Sequence, residues 1–375
     1  MTTSKSPPRR ITQRRIAELA GVSQATVSLV LNDKADGAAR IPEETRDRVL
    51  RVLRETGYVA DPAARRLAGV GNKILGVFTY EPAFPTESQD FYAPLLSGIE
   101  QAAEDLGCDL LLFTSAPVVN GTRRLFHEHN RLRLADGCLL LGVEMDHAEL
   151  EHLVADGFPF VAVGRRDVEG VPYVAIDYAS GTSRLVGRAW ELGHRRFAYL
   201  HVDSRGESVL DRRSGLIDEL ERRGGASAVQ DLLAIPSLGD HLERDWAAIH
   251  ESGATTVVVE TAEWAERLHE LAARDGVDVP RRLSMIVLSE PGRGGGTIEF
   301  TRLSPPRIAL ASAATSLLAR ILDPHDDVAP DDLRQTLPCP ALTGVTLVAP
   351  SAEGHAGSAG AAGSAGSAGS AGAAE

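Results

Sequence analysis

Residues 16–32, "IAELAGVSQATVSLVLN", hold two short apolar-patterned runs separated by "AGVS". Thr12 can cap a first helix, and Gly21 allows a tight turn at its end. Ser23 can then cap a second helix, because its hydroxyl can accept a backbone N–H near Thr26. A short turn with glycine between two such helices is the spacing of a helix-turn-helix motif, whose second helix is free to enter a major groove.

The side chains of this segment divide into a predicted core and a predicted outer face. The expected core members are Ile16, Leu19, Val22, Val27, Val30 and Leu31. Short or neutral side chains, which suit close approach to base edges, stand early in the second helix: Gln24, Ala25, Thr26, Ser28 and Leu29. A third helix is expected from about Pro42, since two glutamates follow it, where acids favour the helix dipole. An ordinary αα-hairpin has the same pattern, so the motif favours DNA binding without requiring it.

Charge is distributed unevenly along the chain. Residues 1–73 carry 14 basic and 8 acidic side chains, whereas the remaining residues carry 25 basic and 44 acidic ones. A basic head on an acidic body fits contact with nucleic acid through the head alone. The alternative is a chance distribution over solvated helix faces.

Composition separates four segments of the 375-residue chain. Residues 1–10 are a short basic N-terminus, expected to be mobile. Residues 11–60 are dense in helical patterns and form the predicted helix-turn-helix domain. Residues 73–348 form a long α/β core, and the Gly/Ser/Ala tail at 351–375 is expected to be disordered.

The core alternates apolar strand segments with amphipathic helical ones. The predicted strands are "KILGVFTY", "DLLLFTS", "GCLLLG", "FVAVG", "YVAI", "FAYLHV", "TTVVVE" and "LSMIVLS". Such continuous apolar runs are typical of parallel strands buried on both faces. The segment is long for one sheet, so two similar lobes are expected. The predicted fold class is therefore α/β, with a small all-α head and a two-lobed core of parallel sheets.

Other classes of protein find little support in the sequence. Nothing approaches eighteen consecutive apolar residues, and the N-terminal basic residues have no apolar core behind them, so we expect no membrane span, no secretory signal and a cytoplasmic location. The cysteines are scattered without a CxxC pair, which indicates reduced thiols rather than a disulfide or zinc site: Cys108, Cys138 and Cys339.

No catalytic constellation stands out either. The Gly-rich "GRGGGT" at 292–297 lacks the P-loop pattern and is interpreted as a flexible loop. The "HEH" at 127–129 has poor metal-ligand spacing, and His194 is expected to pack or cap at a helix-to-strand turn. We therefore expect no enzymatic activity, no cofactor and no metal.

The head resembles a known family. "ITQRRIAELAGVSQATVSLVLN" followed by "IPEETRDRVLRVLRETGYVADPAARRLAG" is similar to the head of a LacI/GalR-family repressor, including the "GY" and the Ala/Arg-rich hinge. The similarity continues at "FYAPLLSGIEQAAEDLG", at "DG" (136–137), at "GH" (193–194) and at "RRSG", over roughly residues 11–348.

This resemblance implies roles for residues of the head. Phosphate contacts are implied for Thr12, Ser23 and Thr26. Base contacts are implied for Gln24, Ala25 and Leu29. The further expected DNA-binding residues are Ser28, Asn32, Tyr58, Ala64 and Leu67.

The resemblance also implies a hinge helix or linker at residues 61–72. Residues 61–69 would form a helix only on operator DNA, with Leu67 wedged into the minor groove. The alternative is an ordinary helix residue, although the surrounding alanines offer Leu67 little core to join. Two departures affect DNA recognition: Leu29 replaces an arginine that many members pair with guanine, and the loop "DKADGAAR" looks longer than usual.

The core resembles a periplasmic sugar-binding protein, whose two lobes close on a small molecule beyond the carboxyl ends of the strands. The resemblance implies aromatic cleft residues at Phe91 and Tyr92, for which core packing is the alternative. It implies an arginine that grips the ligand at Arg212, and Arg165 follows a strand end in the same direction; surface charge is the alternative for both. Glu290 or Glu260 would replace the usual Asn and Asp acceptors of sugar hydroxyls; a different ligand chemistry is the alternative.

Together these residues predict a transcriptional regulator, most simply a repressor. It would act as a homodimer on near-palindromic double-stranded DNA, with half-sites about one helical turn apart. A small-molecule effector, expected to be a sugar or sugar derivative, would control its DNA affinity. The competing hypothesis is a transport-type solute-binding protein, which would need a signal peptide and would not need a basic head.

Overall fold

The computed structural model describes most of the chain. The described residues are 11–32, 41–58, 71–82, 86–119, 122–292, 296 and 298–351. The predictions for residues 1–10, for "DKADGAAR", for Ala64 and Leu67 in the hinge, for most of "GRGGGT" and for the tail lie outside them, as does the side chain of Asn32. The chain divides into two compact units, and the first holds the residues up to Ile74 together with Leu134–Asp136.

The first unit contains the predicted helical head. Its described helices are α1 (Gln13–Ala20), α2 (Gln24–Asn32) and α3 (Glu43–Thr56). Their common core consists of Ile16, Ala17, Ala20, Val27, Val30 and Val49. The core prediction is wrong for Leu19, which is 48% exposed. Helix α1 buries the side formed by positions 16, 17 and 20, and at 3.6 residues per turn position 19 falls outside that side.

The second unit is an α/β core. Its helices are α4 (Thr86–Asp105), α5 (His147–Asp156), α6 (Tyr178–Glu191), α7 (Glu207–Gln230), α8 (Leu242–Glu251), α9 (Ala262–Arg274) and α10 (Arg307–Leu322). Its strands are β1 (Ile74–Thr79), β2 (Asp109–Phe113), β3 (Val118–Val119), β4 (Thr122–Arg123), β5 (Gly137–Leu141), β6 (Phe160–Val163), β7 (Tyr173–Asp177), β8 (Phe197–Val202), β9 (Leu233–Ser237), β10 (Thr256–Val259), β11 (Ser284–Val287), β12 (Thr301–Leu303), β13 (Arg334–Pro338) and β14 (Ala341–Leu342). Each of the eight predicted strand segments contains one of these strands.

Two six-stranded sheets make the two lobes. The strand order is β13-β7-β6-β5-β1-β2 in the first lobe and β14-β12-β11-β10-β8-β9 in the second. The central strands pair in parallel, with Val77 opposite Leu139 in one lobe and Val258 opposite Tyr199 in the other. The predicted fold class, an all-α head and a two-lobed core of parallel sheets, is confirmed.

The chain passes between the lobes at three described points. It leaves the first sheet after β7 to form α6, returns after β12 to form α10, and leaves again between β13 and β14. Helix α10 packs on α4 and on β5, β6 and β7, so it belongs to the first lobe. Strand ends from both lobes therefore face the same crevice, which is where parallel α/β sheets bind ligands.

Candidate DNA-binding head and ligand cleft

The turn of the head is fixed by its capping residues. The Thr12 hydroxyl accepts the Arg15 backbone N–H at 3.3 Å and begins α1. Gly21 ends α1 in the left-handed region, with φ of 65°. A side chain at position 21 would meet no atom within 4 Å, so it is the backbone conformation that favours glycine there. The Ser23 hydroxyl then accepts the Thr26 backbone N–H at 3.1 Å and begins α2.

Helix α2 presents one face to its own core and the opposite face to solvent. Val27 and Val30 are buried, whereas Gln24, Ala25 and Leu29 are exposed. Thr12 and Ser23 are exposed as well, and Thr26 and Ser28 are half-buried. The residues expected to contact phosphates and bases are thus wholly or partly accessible, while their contacts with DNA stay predictions.

Two further residues fasten the head. The Arg48 guanidinium donates to the Ala20 carbonyl oxygen at 2.9 Å and thereby joins α3 to the end of α1. Tyr58 is half-buried against the head core, and its backbone N–H donates to the Leu53 carbonyl oxygen at 3.3 Å. The structure therefore gives Tyr58 a packing role, beside the DNA contact that the family resemblance implies.

The core contains a cleft between its two lobes that is partly open to solvent. Its lining side chains and glycines are Phe91, Leu95, Gly142, Val143, Val163, Gly164, Arg165, Arg166, Ile176, Tyr178, Ser208, Asp211, Arg307 and Leu310. They come from both lobes and from the segments that cross between them. The position matches the crevice beyond the carboxyl ends of parallel strands.

The predicted ligand residues divide into two groups by placement. Among the described residues, Phe91 and Arg165 line the cleft, whereas Tyr92, Arg212 and Glu290 do not. Tyr92 is buried, and its hydroxyl donates to the Glu81 carboxylate. That placement corrects the expectation of two cleft aromatics, because adjacent helical positions point in directions about 100° apart.

Arg212 and Glu290 are each engaged inside the second lobe. The Arg212 Nε donates to the Glu260 carboxylate at 2.6 Å, and its guanidinium lies over the Tyr178 ring at 4.8 Å. The carboxylate side chain of Glu260 is fully buried. Burial lowers the pKa of Arg212, but attraction to Glu260, Tyr178 and Tyr199 together with the hydrogen bond to Glu260 outweighs it, and the net pKa is raised. Glu290 accepts from Arg302 at 3.1 Å.

Ion pairs cross the cleft from one lobe to the other. Arg165 donates to both carboxylate oxygens of Asp211 at 2.8–3.1 Å, and these hydrogen bonds raise the pKa of Arg165. Arg166 donates to the Glu207 carboxylate at 2.6 Å and to the Gly142 carbonyl oxygen at 2.7 Å. These pairs connect the end of β6 in the first lobe to the first turns of α7 in the second.

Several cleft residues were missed by the sequence reasoning. Arg166 stands beside Arg165 in "GRR" at the same strand end, so the doubled arginine was an available signal. Arg307 and Tyr178 each begin a helix directly after a lobe crossing. The placement of these residues depends on which strands belong to which sheet. The apolar pattern of the sequence predicts strands but does not assign them to a sheet.

The sequence predicts neither a metal site nor a membrane span. The structure can be compared with these two predictions only over the residues that it describes. Among them, no three His, Cys, Asp or Glu side chains come together as metal ligands. In the same residues, no helix combines the length and apolar character needed to cross a bilayer. His194 is buried and hydrogen-bonded to Thr255 at 2.9 Å, as its predicted packing role requires.

Comparison with known proteins identifies both domains. Residues 13–61 match the model of bacterial regulatory proteins of the lacI family, and residues 186–343 match the periplasmic binding protein-like domain. Fold and site thus define a class of protein that joins a helix-turn-helix head to a ligand-cleft core. In its head the chain is similar to the lacI family of bacterial regulatory proteins, and in its core to periplasmic binding protein-like domains.

Individual relatives match over part of their length. The HTH-type transcriptional regulator CelR of Thermobifida fusca is 33% identical over 58% of this chain and 63% of its own. The corresponding values for AglR of Rhizobium meliloti are 31%, 56% and 58%, so the chain spans less than two thirds of either relative.

The solved structures show the fold. The lac repressor dimer bound to operator and the anti-inducer ONPF superposes with a TM-score of 0.69 over 91% of this chain and 100% of that one, at 18% identity. A complex of CelR with cellobiose gives a TM-score of 0.59 over 90% of this chain and 100% of that one, at 21% identity.

Proposed function

We propose that this protein is a DNA-binding transcriptional repressor whose affinity for its operator is set by a small molecule in the cleft. The observation that carries the proposal is the capped helix-turn-helix turn, with Gln24, Ala25 and Leu29 exposed on the outer face of α2. It acts as a homodimer in the cytoplasm, on a near-palindromic operator. It has no enzymatic activity, and its effector is a sugar or sugar derivative.

Control of DNA binding follows from the two lobes. An effector that binds the cleft better in one arrangement of the lobes shifts the population toward that arrangement. The hinge predicted at residues 61–72 lies between the head and this core in sequence, so the lobe arrangement sets the placement of the paired heads. A coupling of about 1–3 kcal/mol between the two sites is the usual size of such an effect.

The test is a pair of matched variants. Ala25→Glu adds a carboxylate to the exposed face of α2, which repels phosphates and base acceptors but leaves the head core intact. Ala247→Glu makes the same change at an exposed position of α8. We expect fluorescence anisotropy on the DNA upstream of the protein's own gene to show at least tenfold weaker binding for Ala25→Glu and unchanged binding for Ala247→Glu.

The two alternatives give different results in the same titration. Equal loss of binding in both variants would indicate a general charge effect rather than a specific helix face. Ligand binding by the folded wild-type protein without any DNA binding would support the solute-binding hypothesis instead.

A further inference from the structure

The cleft is rich in hydrogen-bond donors and poor in acceptors. Among the described residues that line it, three carry a guanidinium group and one carries a carboxylate. That carboxylate, Asp211, already accepts from the Nε and an NH2 group of Arg165 at 3.1 and 2.8 Å. A neutral sugar needs acceptors for its hydroxyl hydrogens, and the lining offers few that are not engaged.

The remaining walls are largely apolar. Phe91, Leu95, Val163, Ile176 and Leu310 line the cleft without any polar side-chain atom. Polar recognition there falls mainly to the arginines, because pockets place few polar groups among apolar walls to orient a ligand.

The arginines are held in fixed positions. The guanidinium of Arg307 lies 5.5 Å from the centre of the Phe91 ring. Arg166 is 4% exposed and is held by Glu207 and the Gly142 carbonyl. Its Nε is buried without a hydrogen-bond partner among the described residues. Burial of an unsatisfied donor is costly, so an acceptor supplied by a ligand would be favourable there.

Arg212 is not among the described residues that line the cleft, and it is paired inside the second lobe. Its partner Glu260 occupies the place that an anionic ligand group would take, at 2.6 Å from the Arg212 Nε. A ligand would have to break this buried pair to reach Arg212. Arg165 and Arg166 are paired as well, with Asp211 and Glu207, but unlike Arg212 they line the cleft, so a ligand there can reach them while these pairs stay in place. Of these two, Arg166 keeps its Nε as a donor without a partner among the described residues.

We infer that the effector is an anion, a small molecule with a carboxylate or phosphate group held by Arg165, Arg166 and Arg307. Guanidinium groups bind both kinds of anion through paired N–H donors, and such charge-assisted hydrogen bonds are roughly twice as strong as neutral ones. This inference rests on the proposed function, because it names the chemical class of the molecule that controls DNA binding.

Three compounds with the same sugar ring distinguish a neutral ligand from a carboxylate and from a phosphate. We would titrate full-length protein by calorimetry with D-glucose, with D-glucuronate and with glucose 6-phosphate at equal ionic strength, with inorganic phosphate as a fourth probe. We expect binding of at least one anion and none of D-glucose. Glucuronate binding would indicate a carboxylate effector, and binding of glucose 6-phosphate or phosphate a phosphorylated one.

Matched variants locate the binding. Arg307→Gln should lower the affinity for the anion at least tenfold, because it removes a charged donor from the cleft. Arg188→Gln, at an exposed position of α6 outside the cleft, should leave the affinity unchanged. Circular dichroism and DNA binding of each preparation show that the protein is folded.

Three results would overturn the inference: binding of D-glucose at least as tight as that of the anions, no binding of any anion, or equal anion affinity in wild type and Arg307→Gln. If DNA binding persists in any of these cases, the proposed function stands and only the anionic effector is excluded. If folded protein binds an anion in the cleft but no DNA, it is the proposed function that fails.

Discussion

Ser23 has one observed role in the head and one expected role. Its hydroxyl caps α2 by accepting the Thr26 N–H, and its exposure leaves it available for the expected phosphate contact. Ser23→Ala removes both roles and should cost about 1 kcal/mol of helix stability. Ser23→Asp retains a capping oxygen but adds a charge that repels phosphate.

We expect faster amide hydrogen exchange in α2 for Ser23→Ala only, and weaker DNA binding for both variants. Exchange followed by mass spectrometry and anisotropy on the same samples make the comparison. DNA binding of Ser23→Asp equal to that of wild type would contradict the phosphate contact.

Arg212 illustrates how a residue that matches a family motif can lie in a different environment. The resemblance implies that it grips the ligand, yet here the Glu260 carboxylate already occupies it. Arg212→Ala would leave Glu260 as an uncompensated buried charge, which typically costs about 3–5 kcal/mol. Arg222→Ala, on the same helix α7 but with a side chain 61% exposed, should cost less than about 1 kcal/mol.

Chemical denaturation followed by circular dichroism measures both variants. A loss of stability for Arg212→Ala no larger than that for Arg222→Ala would show that the Arg212–Glu260 pair contributes little. In that case the direct ligand contact implied by the family resemblance would regain its weight.

At the scale of elements, the sequence predicted continuous apolar strands well, and short or alternating strands poorly. Each continuous apolar run became a strand, because a parallel strand covered on both faces must be apolar throughout. Strands β3, β4, β9, β12, β13 and β14 were missed. Strands β3, β4, β12 and β14 have only two or three residues each. Strands β9 and β13 lie at sheet edges, where their side chains alternate between more and less exposed positions and where β9 even tolerates Pro236.

Three elements of the second lobe meet at His194. It follows α6, and its Nδ1 lies 2.9 Å from the Thr255 hydroxyl just before β10. Its Nε2 must carry the hydrogen, because its partner is the Val348 carbonyl oxygen at 2.6 Å, which can only accept. Burial lowers the pKa of His194, so the folded protein favours the neutral ring.

The pH dependence of stability follows in sign. Above the ordinary histidine pKa of about 6.5, the ring is neutral in both folded and unfolded chains and contributes no dependence. Below it, the unfolded chain binds the proton first, so stability falls as the pH falls toward the depressed folded pKa.

Thermal unfolding between about pH 7.5 and about pH 5.5 tests this prediction. We expect the melting temperature of wild type to fall with decreasing pH, and His194→Asn to show a smaller fall. The exposed His325→Asn is the control and should follow wild type. A slope unchanged by His194→Asn would assign the pH dependence to other groups.

At the scale of the whole molecule, the sequence predicted the classes of domain but only part of the site. The capping residues of the head act within a few positions of one another, so their spacing alone identified the turn. The cleft is different: Arg165 and Asp211 meet at 2.8 Å although they are far apart in the chain. Only the assembled lobes bring such pairs together. The chain crossings that place Arg307 and Tyr178 in the cleft have no local pattern in the sequence.

The uneven charge also belongs to this scale. The chain has a net charge of −13, yet its first 73 residues are net basic. An acidic body repels DNA and a basic head attracts it, so association should be oriented and sensitive to salt. We expect DNA affinity to fall steeply between about 50 and about 200 mM salt, measured by anisotropy. Affinity independent of salt would contradict binding through the head.

The most direct test is a gel shift of full-length protein on the DNA upstream of its own gene, with and without D-glucose, D-glucuronate and glucose 6-phosphate. We predict a shift at low salt that one of the anionic compounds alters and that Ala25→Glu abolishes. No shift by folded wild-type protein at low salt, or a shift that persists undiminished in Ala25→Glu, would contradict the account of this chain as a DNA-binding regulator.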